Sequence, residues 1–290
     1  MPTNSIRIGV IGGSGLYQME GLTGVEERHI STPFGDPSDA IVTGTLDGVR
    51  VAFIARHGRG HRITPTEVNS RANIYALKTL GVEQVISISA CGSLREHLHP
   101  GEIVIPDQIF DFTKRRIYSF FGNGLVAHIG TAEPFCERLS ALLADAVEKA
   151  GGKAHRGGCF ITIEGPRFST KGESRTYRAW GMDIIGMTAS PEAFLAREAE
   201  MCYATMAHVT DYDVWHETEE AVNVEMLLAT LHANAALAQR ALRILIPRLA
   251  AAPRDCECGS ALATALITQR DLIPEQVKRD LAPIVGKYLE

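Results

Sequence analysis

An α/β fold is the architecture this sequence predicts, and three observations predict it. Apolar runs of strand length alternate with longer amphipathic runs, the pattern of strands covered by helices. No linker, repeat or low-complexity tract divides the chain, so residues 1–290 read as one domain, with a looser helical extension from about residue 253. Nearly every strand-like run also ends in Gly, Ser, Thr, Arg, His or Asp. Open α/β sheets bind ligands at that carboxyl edge.

In chain order, residues 6–11 form a buried first strand closed by Gly12-Gly13-Ser14-Gly15. A second strand covers Val49–Ala55 and delivers Arg56-His57. Pro65 before and Gly81 after bound a helix over residues 66–80. Residues 85–89 are strand-like and end in Ala90-Cys91-Gly92-Ser93, and residues 102–106 make a short apolar run. An amphipathic helix over 134–150 stops at Gly151-Gly152. The next strand, Cys159–Ile163, leads into Glu164-Gly165-Pro166-Arg167-Phe168-Ser169. A brief run over 184–187 reaches Thr188, and a helix over 191–201 precedes a strand over 203–207. A long helix over about 219–247 and shorter helices in the tail complete the chain.

With 290 residues and 45% hydrophobic content, the chain can bury a large core. Its formal net charge is -5 and its basic residues are scattered, which argues against a nucleic-acid surface. A local cluster of Arg and backbone N–H groups can still bind phosphate within an acidic protein. Residues 6–11 are too short for a secretory apolar region, and no apolar stretch reaches membrane-spanning length. The expectation is a soluble, cytoplasmic protein.

Gly12-Gly13-Ser14-Gly15 lacks the third glycine of a dinucleotide fingerprint, because Gln18 stands at that position. A glycine-rich loop bearing a hydroxyl instead suits one small anion. Arg56 presents a planar fork for phosphate oxygens, and His57 adds a second group beside it. The His57 and His61 spacing mimics a zinc pair, but Gly58 and Gly60 work against the helix such a pair needs, so no metal is expected there. Ser89 and Thr188 offer further hydroxyls, so four segments converge on one anion. In Glu164-Gly165-Pro166-Arg167-Phe168, the aromatic either stacks on a flat heterocycle or plugs the core beside a Glu164–Arg167 ion pair.

Asp211 and Asp213 flank Tyr212 at the end of the strand over 203–207. They read either as surface or capping acids, or as a carboxyl pair that meets a ligand and moves a proton.

These motifs together resemble a known family. Ile11-Gly-Gly-Ser-Gly-Leu16, Ala55-Arg-His-Gly-Arg59, Ala90-Cys-Gly-Ser-Leu-Arg95, Thr162-Ile-Glu-Gly-Pro-Arg-Phe-Ser169, Met187-Thr188 and Thr210-Asp-Tyr-Asp-Val-Trp215 are similar, in order, to those of 5′-methylthioadenosine phosphorylases. These belong to the trimeric branch of the purine nucleoside phosphorylase family. The resemblance covers residues 6–249 and implies a central mixed twisted sheet flanked by helices. It implies phosphorolysis, in which phosphate attacks the ribosyl C1′ and the purine leaves. Phosphate would be held by Ser14, Arg56, His57, Ser89 and Thr188. Ala90 and Phe168 would contact the nucleoside, and Met187 would pack under the ribose. Asp211 would act at the purine N7 and exocyclic amine, supported by Asp213. Leu227 and Leu228 would line the methylthio pocket, and His128 would come from a neighbouring subunit of a homotrimer. No cofactor is implied beyond inorganic phosphate as co-substrate, and no metal. At Gly186 some relatives carry Asn, so no side-chain contact transfers to that position.

An Asp at 211, where oxopurine enzymes of the group tend to have Asn, favours a 6-aminopurine. The alternatives are a phosphorylase of 6-oxopurine nucleosides or methylthioinosine, a dinucleotide-dependent oxidoreductase, and a non-catalytic nucleoside-binding protein. The missing third glycine counts against the second, and the phosphate-gripping Arg56 and His57 against the third.

Of the six cysteines, Cys256 and Cys258 are close enough in sequence for a small, strained disulfide, and some heat-stable members of the family carry cysteine pairs. No second cysteine pair at ligand spacing accompanies them, which argues against zinc.

Overall fold

The computed structural model describes residues 5–13, 16, 18, 20–216 and 224–289, and, in the long helix that begins at Val224, side chains from residue 234 onward. Among these residues, eleven strands form one mixed sheet. Its centre is parallel and deeply buried: β4 (Val49–Ala55), β1 (Ile8–Gly12), β5 (Gln84–Ser93) and β11 (Cys202–Asp211) run side by side. Such strands carry apolar residues on both faces because helices cover both. On one edge, β3 (Ile41–Leu46) and β2 (Leu22–Arg28) continue antiparallel from β4. On the other, β10 (Ile184–Gly186) meets the end of β5 antiparallel and leads through β9 (Cys159–Ile163) to β7 (Gln108–Phe112). A branch from β11 adds β6 (Ile103–Ile105) and β8 (Ala154–Arg156).

Helices α1 (Ser70–Thr79) and α4 (Ala189–Glu198) cover one face. Ile74, Leu77, Ala193 and Leu195 are buried there. Helices α2 (Glu137–Lys149) and α5 (Val224–Ala251) cover the other through Leu139, Leu143, Leu242, Leu245 and Ile246. Truncating any one such leucine to alanine costs about 2–5 kcal/mol, because the cavity closes only in part. A third, smaller core lies beneath α3 (Lys171–Ala179), where Leu94, Ile161, Tyr177, Ile185, Tyr212 and Trp215 pack together.

The extension beyond residue 253 is docked rather than loose. Leu262, Ile273, Ile284 and Val285 are buried in the first core, the last two on α7 (Ala282–Leu289), which follows α6 (Glu275–Asp280). Buried Glu200 accepts from the Leu262 N–H at 3.0 Å and the Tyr288 hydroxyl at 2.5 Å.

Most expected elements are present, and the departures have local causes. α1 begins at Ser70 because the Asn69 side chain accepts from Ala72 N–H and caps it there. β5 runs on to Ser93 because β10 and β11 both pair with its end. β2, β3, β7, β8 and α3 were not expected; β2 is an edge strand with largely exposed side chains and shows no apolar run.

Candidate active site

The parallel central strands deliver their last residues to one edge, and the sequence-predicted residues gather there. Arg56 follows β4, and its backbone N–H donates to the Gly12 carbonyl at 2.9 Å. The residue is only 4% exposed. The guanidinium donates from Nε and Nη2 to the two carboxylate oxygens of Glu192, at 2.5 and 3.1 Å. It also donates from Nη1 to the Ile88 carbonyl at 2.9 Å and from Nη2 to the Ser87 hydroxyl at 2.7 Å. These bonds use four of its five N–H groups and fix the fork in the sheet edge.

His57, Arg56, Met187, Thr188 and Glu192 line one small cleft. The Thr188 hydroxyl donates to the Ser89 hydroxyl at 2.8 Å, which joins the two predicted phosphate hydroxyls across β10 and β5. Of the five predicted phosphate residues, the structure thus brings together Arg56, His57, Ser89 and Thr188; Ser14 lies outside the described residues. A larger cavity of about 280 Å³ adjoins this cleft and shares Val68, Ser70 and Arg116 with it.

Burial, and next the charge of Arg56, hold His57 down at about 4, so it is neutral near pH 7. Its Nδ1 lies 2.9 Å from the Ile63 carbonyl, an acceptor, so Nδ1 carries the proton and Nε2 is bare. A bare Nε2 can accept a hydrogen bond from a group that carries a proton. His57 stacks on His61 with ring centroids 4.4 Å apart, and both surrounding glycines have positive φ, so no helix underlies this pair.

The aspartate pair is held by an irregularity at the end of β11. The ladder with β5 slips between Val209 and Asp211, and Thr210 is the extra residue. The Thr210 hydroxyl reaches the Cys91 carbonyl and Asp211 Oδ2, at 3.2 and 2.6 Å, while Asp213 N–H donates to Asp211 Oδ1 at 2.7 Å. Asp213 sits at φ +51. Tyr212 and Trp215 anchor the turn: Trp215 Nε1 donates to the Ser93 carbonyl at 2.7 Å, and the Tyr212 hydroxyl lies 2.6 Å from His99 Nδ1.

Both aspartates are therefore partly buried rather than surface acids. Burial raises the pKa of Asp211, against the opposing bonds from Thr210 and Asp213 N–H. Burial raises Asp213 too, and the charge of Asp211 pushes the same way; Ser174 and Ser169 hydroxyls nearby ease this only in part. Asp213 Oδ2 itself makes no well-formed hydrogen bond among the described residues. A carboxyl so placed is suited to hold or supply a proton.

Phe168 is 44% exposed, so it does not plug the core. The Glu164–Arg167 ion pair of that alternative does not form either: Arg167 binds Glu173 at 2.6 Å. Glu164 instead accepts from the Thr66 hydroxyl at 2.5 Å and from the N–H groups of Lys114 and Arg115. Met187 follows β10, and its carbonyl accepts from Arg116 Nη1 at 2.8 Å. Ala90 lies on β5 opposite His208 of β11. Gly186 packs so tightly that a Cβ would meet the Phe160 ring at 2.8 Å, which explains why no side chain stands there.

Two predicted residues fall outside the described side chains, and one stands apart. Leu227 and Leu228 lie on α5, ahead of the point at which its side chains are described. His128 is exposed on a loop tied to the tail, its N–H donating to the Ala265 carbonyl at 2.9 Å.

Three residues that position the site escaped the sequence. Glu192 is the counter-ion of Arg56, from an element 136 residues away. Arg116 donates to the carbonyls of Ile163, Glu164, Met187 and Ser190, and so ties the ends of β9 and β10 together. Gly92 leaves the space the aspartates occupy: a Cβ there would lie 3.0 Å from Asp211 Oδ1 and 3.2 Å from Asp213 Cβ. Glu192 and Arg116 sit in none of the motifs, and Gly92, though within Ala90–Arg95, gives no sign in the sequence of the space it leaves.

Comparison with known proteins identifies the family. The model of the Phosphorylase superfamily matches residues 7–247, and the chain belongs to that superfamily. Within it, an S-methyl-5′-thioadenosine phosphorylase of Gloeobacter violaceus is 57% identical over 286 residues, covering 97% of this chain and 96% of the relative. One of Koribacter versatilis is 54% identical over 283 residues, with 97% and 96% covered. Among solved structures, a methylthioadenosine phosphorylase from an antarctic soil metagenomic library superposes with a TM-score of 0.93 at 48% identity, covering 97% of this chain and 99% of its own. A methylthioadenosine phosphorylase from Schistosoma mansoni, in complex with adenine, gives 0.83 at 35% identity, with 97% and 98% covered.

Proposed function

We infer that this chain catalyses the phosphorolysis of S-methyl-5′-thioadenosine to adenine and 5-methylthioribose 1-phosphate. The observation that carries the reading is the partly buried, hydrogen-bonded Asp211–Asp213 pair, on the same sheet edge as Arg56, His57, Ser89 and Thr188. Relatives at 54–57% identity bear the name of that activity.

In this reading phosphate lies against Arg56, His57 and the Ser89–Thr188 hydroxyls, and Ser14 helps to hold it. Arg56 is already neutralised in part by Glu192, so its role is to orient the anion as well as to balance its charge. Breaking the N-glycosidic bond develops positive charge on the sugar and negative charge on the purine. Phosphate opposes the first, and Asp211 relieves the second at N7. An ordinary Asp, with a pKa of about 3.9, would cost roughly 4 kcal/mol to protonate at pH 7. Burial lowers that cost, and Asp213 adds to the effect. Phe168, exposed at the loop, faces the purine; Ala90 and Met187 flank the nucleoside; Leu227 and Leu228 take the methylthio group.

Inorganic phosphate is a co-substrate, and the chemistry asks for no cofactor. A homotrimer in which His128 reaches a neighbour's 5′ pocket, working in the cytoplasm, completes the proposal. His128 fits that role because it is exposed and its loop is braced by the tail.

The test is Asp211→Asn. Turnover of methylthioadenosine should fall by roughly 10²–10⁴-fold, the usual contribution of a positioned acid. Wild-type turnover in a folded Asp211→Asn protein would remove Asp211 from the mechanism.

A further inference from the structure

Four of the six cysteines come together on the face of the sheet away from α1 and α4. Cys136 is the N-cap of α2, Cys202 opens β11, and Cys256 and Cys258 belong to the start of the tail. Their sulfurs all lie within 4.8 Å of one another, and those of Cys202 and Cys256 are 3.3 Å apart. Cys136, Cys202 and Cys258 are buried and Cys256 is partly so. The sequence spacing hid this group because it contains only one close pair; the other two ligands arrive from β11 and α2.

We propose that Cys136, Cys202, Cys256 and Cys258 form a tetrahedral thiolate site for a zinc-class divalent cation, which fastens the C-terminal tail to the sheet. With zinc–sulfur bonds of about 2.3 Å, a regular tetrahedron places its sulfurs about 3.8 Å apart. The cluster needs only small side-chain movements to reach that spacing. Binding releases the thiol protons and leaves four thiolates around a dication, a net charge of -2. Two guanidiniums stand ready to balance it: Arg254 Nε donates to Cys202 Sγ at 3.3 Å, and Arg197 Nη1 to Cys258 Sγ at 3.7 Å. Donors aimed at ligand sulfurs are what surrounds a metal–thiolate centre. Two disulfides would use the same sulfurs in pairs but would leave those donors facing neutral sulfur.

The consequence is structural. Among the contacts of the following tail segment are those to the His128 loop: Ala127 bridges Leu266, and His128 N–H donates to Ala265. A cation that pins residues 256 and 258 therefore braces the tail that supports this loop. The site itself does not depend on the proposed activity.

The experiment is metal analysis of the full-length protein, isolated under thiol-trapping conditions and again after reduction and addition of zinc. About one zinc per chain should resist dialysis, with Cys136, Cys202, Cys256 and Cys258 protected from alkylation. Replacement by Co²⁺ should give the intense visible bands of a tetrahedral thiolate complex. Cys256→Ser and Cys258→Ser should each lower zinc retention at least tenfold while keeping the circular dichroism of the fold. Cys159→Ser, whose sulfur lies elsewhere against Met182, should retain full zinc. Two results overturn the proposal. One is reduced protein with all four thiols reactive and no zinc retained; the other is disulfides among these residues in the trapped protein.

Discussion

At the residue scale, the chemistry rests on charges that the fold has taken out of water in pairs. Arg56 and Glu192 form a buried two-pronged ion pair, and removing one member of such a pair generally costs about 3–5 kcal/mol, since the other charge is left uncompensated. Glu192→Gln should therefore lower the melting temperature in phosphate-free buffer. Added phosphate should restore much of the loss, because the anion supplies Arg56 with a new counter-charge and stabilises by binding only the native state. Equal destabilisation with and without phosphate would show that Arg56 does not face the anion. The arginine and histidine were legible in the sequence because they sit together at a strand end. Glu192 was not, since an acid in the first turn of a helix looks like ordinary stabilisation of that end. For Asp211 and Asp213, sequence alone left surface capping open; their partial burial beside the buried Tyr212 and Trp215 argues against that alternative.

At the element scale, strand ends decide the geometry. The slip in the β11–β5 ladder at Thr210 turns Asp211 toward the site, and Gly92 on β5 leaves the room it needs. Gly92→Ala would place a methyl group 3.0–3.2 Å from Asp211, Ile185 and Asp213, tighter than normal contact. The expected result is a stability loss of about 1–3 kcal/mol together with a fall in kcat larger than the change in KM. If kcat were untouched while stability fell, the aspartates would not require their present positions. The central strands were legible because they are short, buried and apolar. β2 escaped because its side chains face solvent, and β8 because three residues carry too little pattern. α3 is polar, but its capping box, Thr170 with Glu173, is a signal that could have found it.

At the scale of the whole molecule, the sheet gathers residues from position 56 to position 213 on one edge, while α2 and α5 on one face, and α1, α4 and the tail on the other, stabilise it. The ordered motifs made that edge legible in the amino-acid sequence. The four-cysteine cluster was not legible there, because its members are 122 residues apart at the extremes and meet only through folding. The proposed trimer makes its own prediction. His128→Ala should lower kcat/KM for methylthioadenosine on the order of tenfold, through lost contact at the 5′ group. Mixing and reassembling the nearly inactive Asp211→Asn protein with His128→Ala should regain activity, because some sites then combine an intact Asp211 with a neighbour's intact His128. Activity no greater than the sum of the two variants would place His128 outside the neighbouring site.

The most direct measurement follows methylthioadenosine in phosphate buffer and in phosphate-free buffer, with both products identified. Adenine and 5-methylthioribose 1-phosphate should form only when phosphate is present, in equal amounts. Steady release of adenine with free 5-methylthioribose in the absence of phosphate would contradict phosphorolysis and make the enzyme a hydrolase.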